Sequence, residues 1–145
     1  MVWRRAYLVL VTVGVLTAGA GCSDGPPLGT VSGTVTQSGQ PIPFAYVQFQ
    51  PTEPRGTYAS AYTDVDGRYE LQFSESRNGA LVGRHEVTIR TAALDEIQVE
   101  DRETGKLVTP VLPAGYKPKL ELKFERAVEA GDNTVDIQLE TGTPL

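Results

Sequence analysis

From residue 30 onward apolar side chains recur at every second position, and this period constrains the fold more than any other feature of the chain. Successive side chains of a strand point to opposite faces, so period two marks strands with one buried face, whereas a helix needs a period near 3.6. Val31, Gly33 and Val35 alternate with Ser32, Thr34 and Thr36, and Ala45, Val47 and Phe49 with Tyr46, Gln48 and Gln50. The intervening Ser38-Gly39-Gln40-Pro41 supplies a tight turn. Pro43 has no amide donor, which predicts an edge or a bulge at the start of the second strand. Thr57 to Thr63 is a third candidate, followed through the turn Asp64-Val65-Asp66-Gly67, read as a hairpin, by Tyr69, Leu71 and Phe73 on one face. His85, Val87 and Ile89 alternate with Glu86, Thr88 and Arg90. Leu120, Leu122 and Phe124 then share an inward face, as do Val135, Ile137 and Leu139 after the turn at Gly131-Asp132. Short strands with one apolar face each predict an all-β, antiparallel β-sandwich.

The N-terminus has a different pattern. Arg4 and Arg5 precede an uncharged apolar run of 13 residues from Ala6 to Ala18, then Gly19-Ala20-Gly21 and Cys22, the only cysteine. This is the layout of a secretory signal helix over residues 1–21. The run is short of the roughly 20 residues a membrane-spanning helix needs, although extension to Cys22 makes an uncleaved anchor conceivable. Arg4-Arg5 also fits a twin-arginine signal. The position of Cys22 resembles the lipobox of bacterial lipoproteins, with Gly19 where that motif favours a large aliphatic residue. The resemblance implies a diacylated thiol and an amide-linked chain such as palmitate, the two signals stable anchoring requires. A non-lipidated exported protein is the alternative.

Residues 22–29 are polar and rich in glycine and proline, and read as a tether to a domain spanning 30–141. Without residues 1–21 the chain carries 11 Lys and Arg against 18 Asp and Glu, a net charge of −7. Such a domain has no electrostatic basis for binding nucleic acid. Lacking a second cysteine it has no internal disulfide, so its core must hold it. The charged stretch Ala92 to Gly115 exceeds the usual loop length and reads as a functional or mobile excursion.

Five pieces in order, Val31-Ser32-Gly33-Thr34-Val35-Thr36, Gly39-Gln40-Pro41-Ile42, Ala45-x-Val47-x-Phe49, Thr63-Asp64-x-Asp66-Gly67-x-Tyr69 and Gly83-Arg84-His85-x-Val87-x-Ile89, resemble the carboxypeptidase regulatory-like domain. The resemblance covers about Thr30 to Glu140. It implies a seven-strand prealbumin-like sandwich of the transthyretin type, often carried by bacterial lipoproteins, acting as a non-catalytic accessory that supplies no zinc ligands. Enzymes of that fold use two histidines, with an arginine in hydrolases resembling transthyretin or with two tyrosines in intradiol dioxygenases. This chain has one His.

Candidate chemistry is sparse. Asp64 and Asp66 are weak metal candidates: with Gly67 at the sixth place of a calcium loop, the first place is Tyr62 and the twelfth Phe73, so the first carboxylate and the bidentate Glu are missing. A capped turn accounts for both aspartates. His85 is in phase with Val87 and Ile89, and reads as a packing residue. Tyr46, Tyr58, Tyr62 and Tyr116 are a possible ligand surface, on which exposed rings would stack against the apolar face of a sugar; cross-strand packing is the plainer account. No nucleophile motif or nucleotide loop is present, and no cofactor is implied. The expectation is a non-catalytic, lipid-anchored cell-envelope module, periplasmic or at the cell surface, whose partners are the membrane and an envelope protein or glycan. A calcium- or carbohydrate-responsive accessory of an envelope enzyme system is the alternative.

Overall fold

A computed structural model describes residues 25–139. The signal segment 1–21, Cys22, the first residues of the tether and residues 140–141 lie outside the described residues. Those described form no helix and fourteen short strands: β1 (Leu28–Gln37), β2 (Gln40–Pro41), β3 (Tyr46–Pro51), β4 (Ala59–Tyr62), β5 (Arg68–Glu70), β6 (Gln72–Ser74), β7 (Arg77–Asn78), β8 (Ala80–Leu81), β9 (Gly83–Arg90), β10 (Val99–Glu100), β11 (Leu107–Val108), β12 (Glu121–Val128), β13 (Gly131–Thr134) and β14 (Ile137–Gln138). The all-β expectation holds.

The first sheet is built around β1. Each strand residue has two edges, and β1 gives one to β8, β5 and β2 in antiparallel pairing, and the other to β13 and β14 in parallel pairing. The parallel pairing departs from a wholly antiparallel arrangement. Alternation specifies which face of a strand is buried; it carries no information about the direction of the neighbour. Between β13 and β14 the ladder is interrupted, and Asp136 Oδ1 accepts the Thr34 amide at 2.9 Å in its place. Gly33 belongs to this junction because a Cβ there would lie 2.0 Å from the Val135 carbonyl oxygen. The β1–β2 turn has Ser38 and Gly39 at φ 50° and 73°, the left-handed pair required by a two-residue hairpin whose twist matches its strands.

The second sheet runs β12-β9-β3-β4-β6-β7 and is antiparallel at every pairing. Its inner residues Val47, Phe49, Ala59, Val87 and Ile89 form a single core with Val31, Val35, Tyr69, Leu71, Val135 and Ile137 of the first sheet. Phe49 is fully buried, whereas Leu122 and Phe124 on edge strand β12 are half-buried and pack against the core from its margin.

Two connections differ from the hairpin picture. Pro43 lies between β2 of the first sheet and β3 of the second, so it costs no ladder bond, and β3 is central, flanked by β4 and β9. The Asp64–Gly67 turn likewise crosses between sheets: β4 pairs with β3 and β6, whereas β5 pairs with β1. Docking of the turn on β1, where the Val35 amide donates to the Gly67 carbonyl at 2.8 Å, outweighs local β4–β5 pairing. The excursion carries its own antiparallel pair, β10–β11, and buries Ile97 completely.

Candidate functional site

Register brings one row of side chains together on the outer face of the second sheet. Glu121 of β12 stands opposite Arg90 of β9, Arg90 opposite Tyr46 of β3, and Tyr46 opposite Tyr62 of β4. These residues share the outward phase because their neighbours Val47, Ala61, Ile89 and Leu122 take the inward one. The two tyrosine rings have centroids 5.2 Å apart and are tilted by 52°. Arg90 Nε donates to Glu121 Oε2 at 2.7 Å, and the Tyr46 hydroxyl meets Gln48 Oε1 at 3.2 Å. Beside this row is a hollow of 420 Å³, bordered also by Phe44, Thr91, Glu96 and Lys119.

Two buried threonines hold its walls. Thr63 Oγ1 donates to the Ile42 carbonyl at 2.7 Å and accepts the Ala45 amide at 2.8 Å, while its own amide and carbonyl bond Ala45 and Phe44. This clamp fixes the crossover that delivers Phe44, in the left-handed region at φ 56°, and Tyr46. On the other side Thr91 Oγ1 donates to the Lys117 carbonyl at 2.6 Å and accepts the Leu120 amide at 2.8 Å. That bond pair closes the neck of the excursion and sets Lys119 at the rim. Glu96 at the rim accepts the Ala93 amide at 2.9 Å.

Of the four tyrosines singled out in the sequence, Tyr46 and Tyr62 meet at the hollow and the other two do not. Tyr58 is exposed, four residues before Tyr62 and so about 13 Å away along an extended chain. Tyr116 is half-buried, its hydroxyl donating to the Ala92 carbonyl at 2.7 Å, and burial above all pushes its pKa up. Sequence reading missed Arg90, Glu121, Gln48, Glu96 and Lys119 as partners of the tyrosines. Outward alternation signals Arg90 and Glu121, and only register shows that they are neighbours.

Asp64 is a turn cap: its Oδ1 accepts the amides of Asp66 and Arg68, each at 2.9 Å. The Asp66 side chain is exposed on the same turn. Among the described residues no group of three or more His, Cys, Asp and Glu is arranged to hold a metal ion. His85 is 1% exposed, packs its ring 5.8 Å from that of Phe49, and bonds the Gly83 carbonyl through Nδ1 at 3.1 Å. Burial lowers its pKa below the ordinary imidazole value. Cys22 lies outside the described residues.

A second hollow, of 490 Å³, lies on the other side of Tyr62 and is bordered by Thr34, Asp64, Arg68, Glu70 and Asp136. Tyr62 lines both hollows and is 68% exposed. The site is therefore an aromatic side chain, Tyr62, between two hollows that each carry charged and polar groups. It can stack a flat apolar surface and hydrogen-bond polar groups around it, as ligand sites with a few convergent polar groups do.

Fold and surface together define a small all-β domain with one hollow on the second sheet and another bordered by the first, the two meeting at Tyr62. No family model matches the chain, and no curated protein matches it. Among solved structures it is similar to a crystal structure of (S)-allantoin synthase, over 79% of this chain, at 14% identity and a TM-score of 0.42. The match spans 41% of that protein.

Proposed function

We propose that this chain is a non-catalytic, lipid-anchored module of the cell envelope, exported by residues 1–21, anchored through Cys22, and serving a binding or structural role toward an envelope protein or glycan. The observation that carries the reading is the order of its parts: a basic start, a short apolar run, Gly19-Ala20-Gly21-Cys22, and then a β-domain whose first strand begins at Leu28. Two acyl chains on Cys22 would hold it at a membrane surface, and the acidic charge turns it away from nucleic acid. The finer fold belongs to the same proposal, a prealbumin-like sandwich of seven strands related to the carboxypeptidase regulatory-like domain. In support, nine of the fourteen short strands fall into seven runs, 28–37, 46–51, 59–62, 68–74, 83–90, 121–128 and 131–138, and the five outside them are two-residue strands. A second reading, a carbohydrate-responsive accessory of an envelope enzyme system, is favoured by the Tyr46–Tyr62 pair, in which Tyr62 is exposed and Tyr46 half-buried beside it.

Metabolic labelling with an alkyne fatty acid tests the anchor. Wild type should incorporate the label and Cys22→Ala should lose it. Absence of label, or equal label in the variant, refutes the lipid anchor.

A further inference from the structure

β9 spans the second sheet, and its two ends have different surroundings. Gly83 follows Val82, whose amide donates to the Pro27 carbonyl at 3.1 Å, immediately before β1. Arg90, at the other end, lines the first hollow with Tyr46, Tyr62 and Glu121. Eight strand residues separate these ends by about 23 Å. The first hollow is therefore at the end of β9 remote from the point where the described chain enters β1.

The chemistry of the groove, the two hollows that meet at Tyr62, narrows its ligand. Two cations, Arg90 and Lys119, face two anions, Glu96 and Glu121, so the first hollow has no net charge. In the second hollow Asp64, Glu70 and Asp136 outnumber Arg68, which repels a polyanion. An extended peptide pairs with unpaired backbone along a sheet edge, whereas both hollows are lined chiefly by side chains of paired strands, β3, β4 and β9 in the first and β1 and β5 in the second, around a flat ring. Hydrogen-bonding groups of both polarities around an exposed aromatic side chain match a molecule that is apolar on one face and ringed by hydroxyls. The hollows on either side of Tyr62 match a ligand longer than one unit.

We propose that this groove binds a neutral oligosaccharide, with one sugar ring stacked on Tyr62 and its hydroxyls bonded by Arg90, Glu121 and Gln48. The proposal deepens the binding-module reading and rests on it. Binding to cellohexaose, chitohexaose and maltohexaose is measured by titration calorimetry on the full lipidated chain in a zwitterionic, sugar-free detergent, with dextran sulfate as the polyanionic probe. At least one of the three neutral probes should bind. Tyr62→Ala should weaken that binding about tenfold, and Tyr58→Ala, an exposed tyrosine outside the groove, should leave it within about twofold. Tyr62 is largely exposed, so its truncation should leave the melting temperature nearly unchanged, which separates lost binding from lost folding. No binding of any neutral probe, unchanged affinity in Tyr62→Ala, or binding of dextran sulfate alone would overturn the proposal. Labelling at Cys22 reads the anchor independently, so a labelled chain that binds none of the sugars refutes the groove and leaves the anchor standing.

Discussion

Replacing Thr63 by valine should cost about 2–4 kcal/mol, although the two side chains have nearly the same shape. The hydroxyl accepts the Ala45 amide and donates to the Ile42 carbonyl, at 2.8 and 2.7 Å, in a buried crossover between the sheets. Valine fills the volume, so packing changes little, and its backbone keeps the bonds to Ala45 and Phe44. What it removes is the partner of two buried main-chain groups, each worth about 1–3 kcal/mol when left unsatisfied, with some of that recovered by relaxation. Thr63→Ser keeps the hydroxyl and loses one methyl, a cost of about 1 kcal/mol. Urea unfolding followed by circular dichroism reads the difference. At a slope of about 2 kcal/mol/M the valine variant should unfold about 1–2 M earlier than wild type and the serine variant about 0.5 M earlier, with unchanged slopes. The valine variant should also bind the groove's ligand more weakly, because the crossover sets Phe44 and Tyr46. A valine variant within about 0.5 kcal/mol of wild type, or a serine variant less stable than the valine one, would refute the clamp.

Phe49→Ala should cost about 3–5 kcal/mol, and Phe124→Ala about 1–2, because Phe49 is fully buried between the sheets and Phe124 is half-buried on an edge strand. Thermal or urea unfolding that ranks Phe124 equal to or above Phe49 would contradict this placement of the core. Burial lowers the His85 pKa, so the unfolded chain takes up a proton that the native state resists once the pH drops below about 6.5. Stability should therefore fall between pH 7 and 5.5 with a slope that His85→Phe removes. The single imidazole should titrate below 6.5 by NMR, and titration at or above that value would exclude the buried neutral state.

Much of the sheet structure was legible because alternation is local. Val31 and Val35, Ala45, Val47 and Phe49, Val87 and Ile89, and Val135 and Ile137 are all inward as period two requires. The Ser38-Gly39 turn was legible because few residues accept two successive left-handed conformations. Phe124 is in phase but marginal, since alternation gives a face and says nothing of whether the strand lies at the centre or the edge of its sheet. The Asp64 turn was recognised by composition, yet its transfer of the chain to the other sheet depends on the bond between Gly67 and Val35, partners 32 residues apart. Of the candidate site, composition pointed to four tyrosines, and register retained two and added Arg90 and Glu121.

The amino-acid sequence by itself determined that this chain is built of strands, which side chains most strands turn inward, and where the Ser38-Gly39 turn falls, because these follow from backbone sterics and a period of two residues. Tertiary structure alone decided the parallel pairing of β1 with β13 and β14, the passage of β5 into the other sheet, the two threonine clamps, and the row Glu121-Arg90-Tyr46-Tyr62. Each of those joins residues distant in the chain, and which pairing wins depends on closing one shared core between two sheets, a balance that no local pattern encodes.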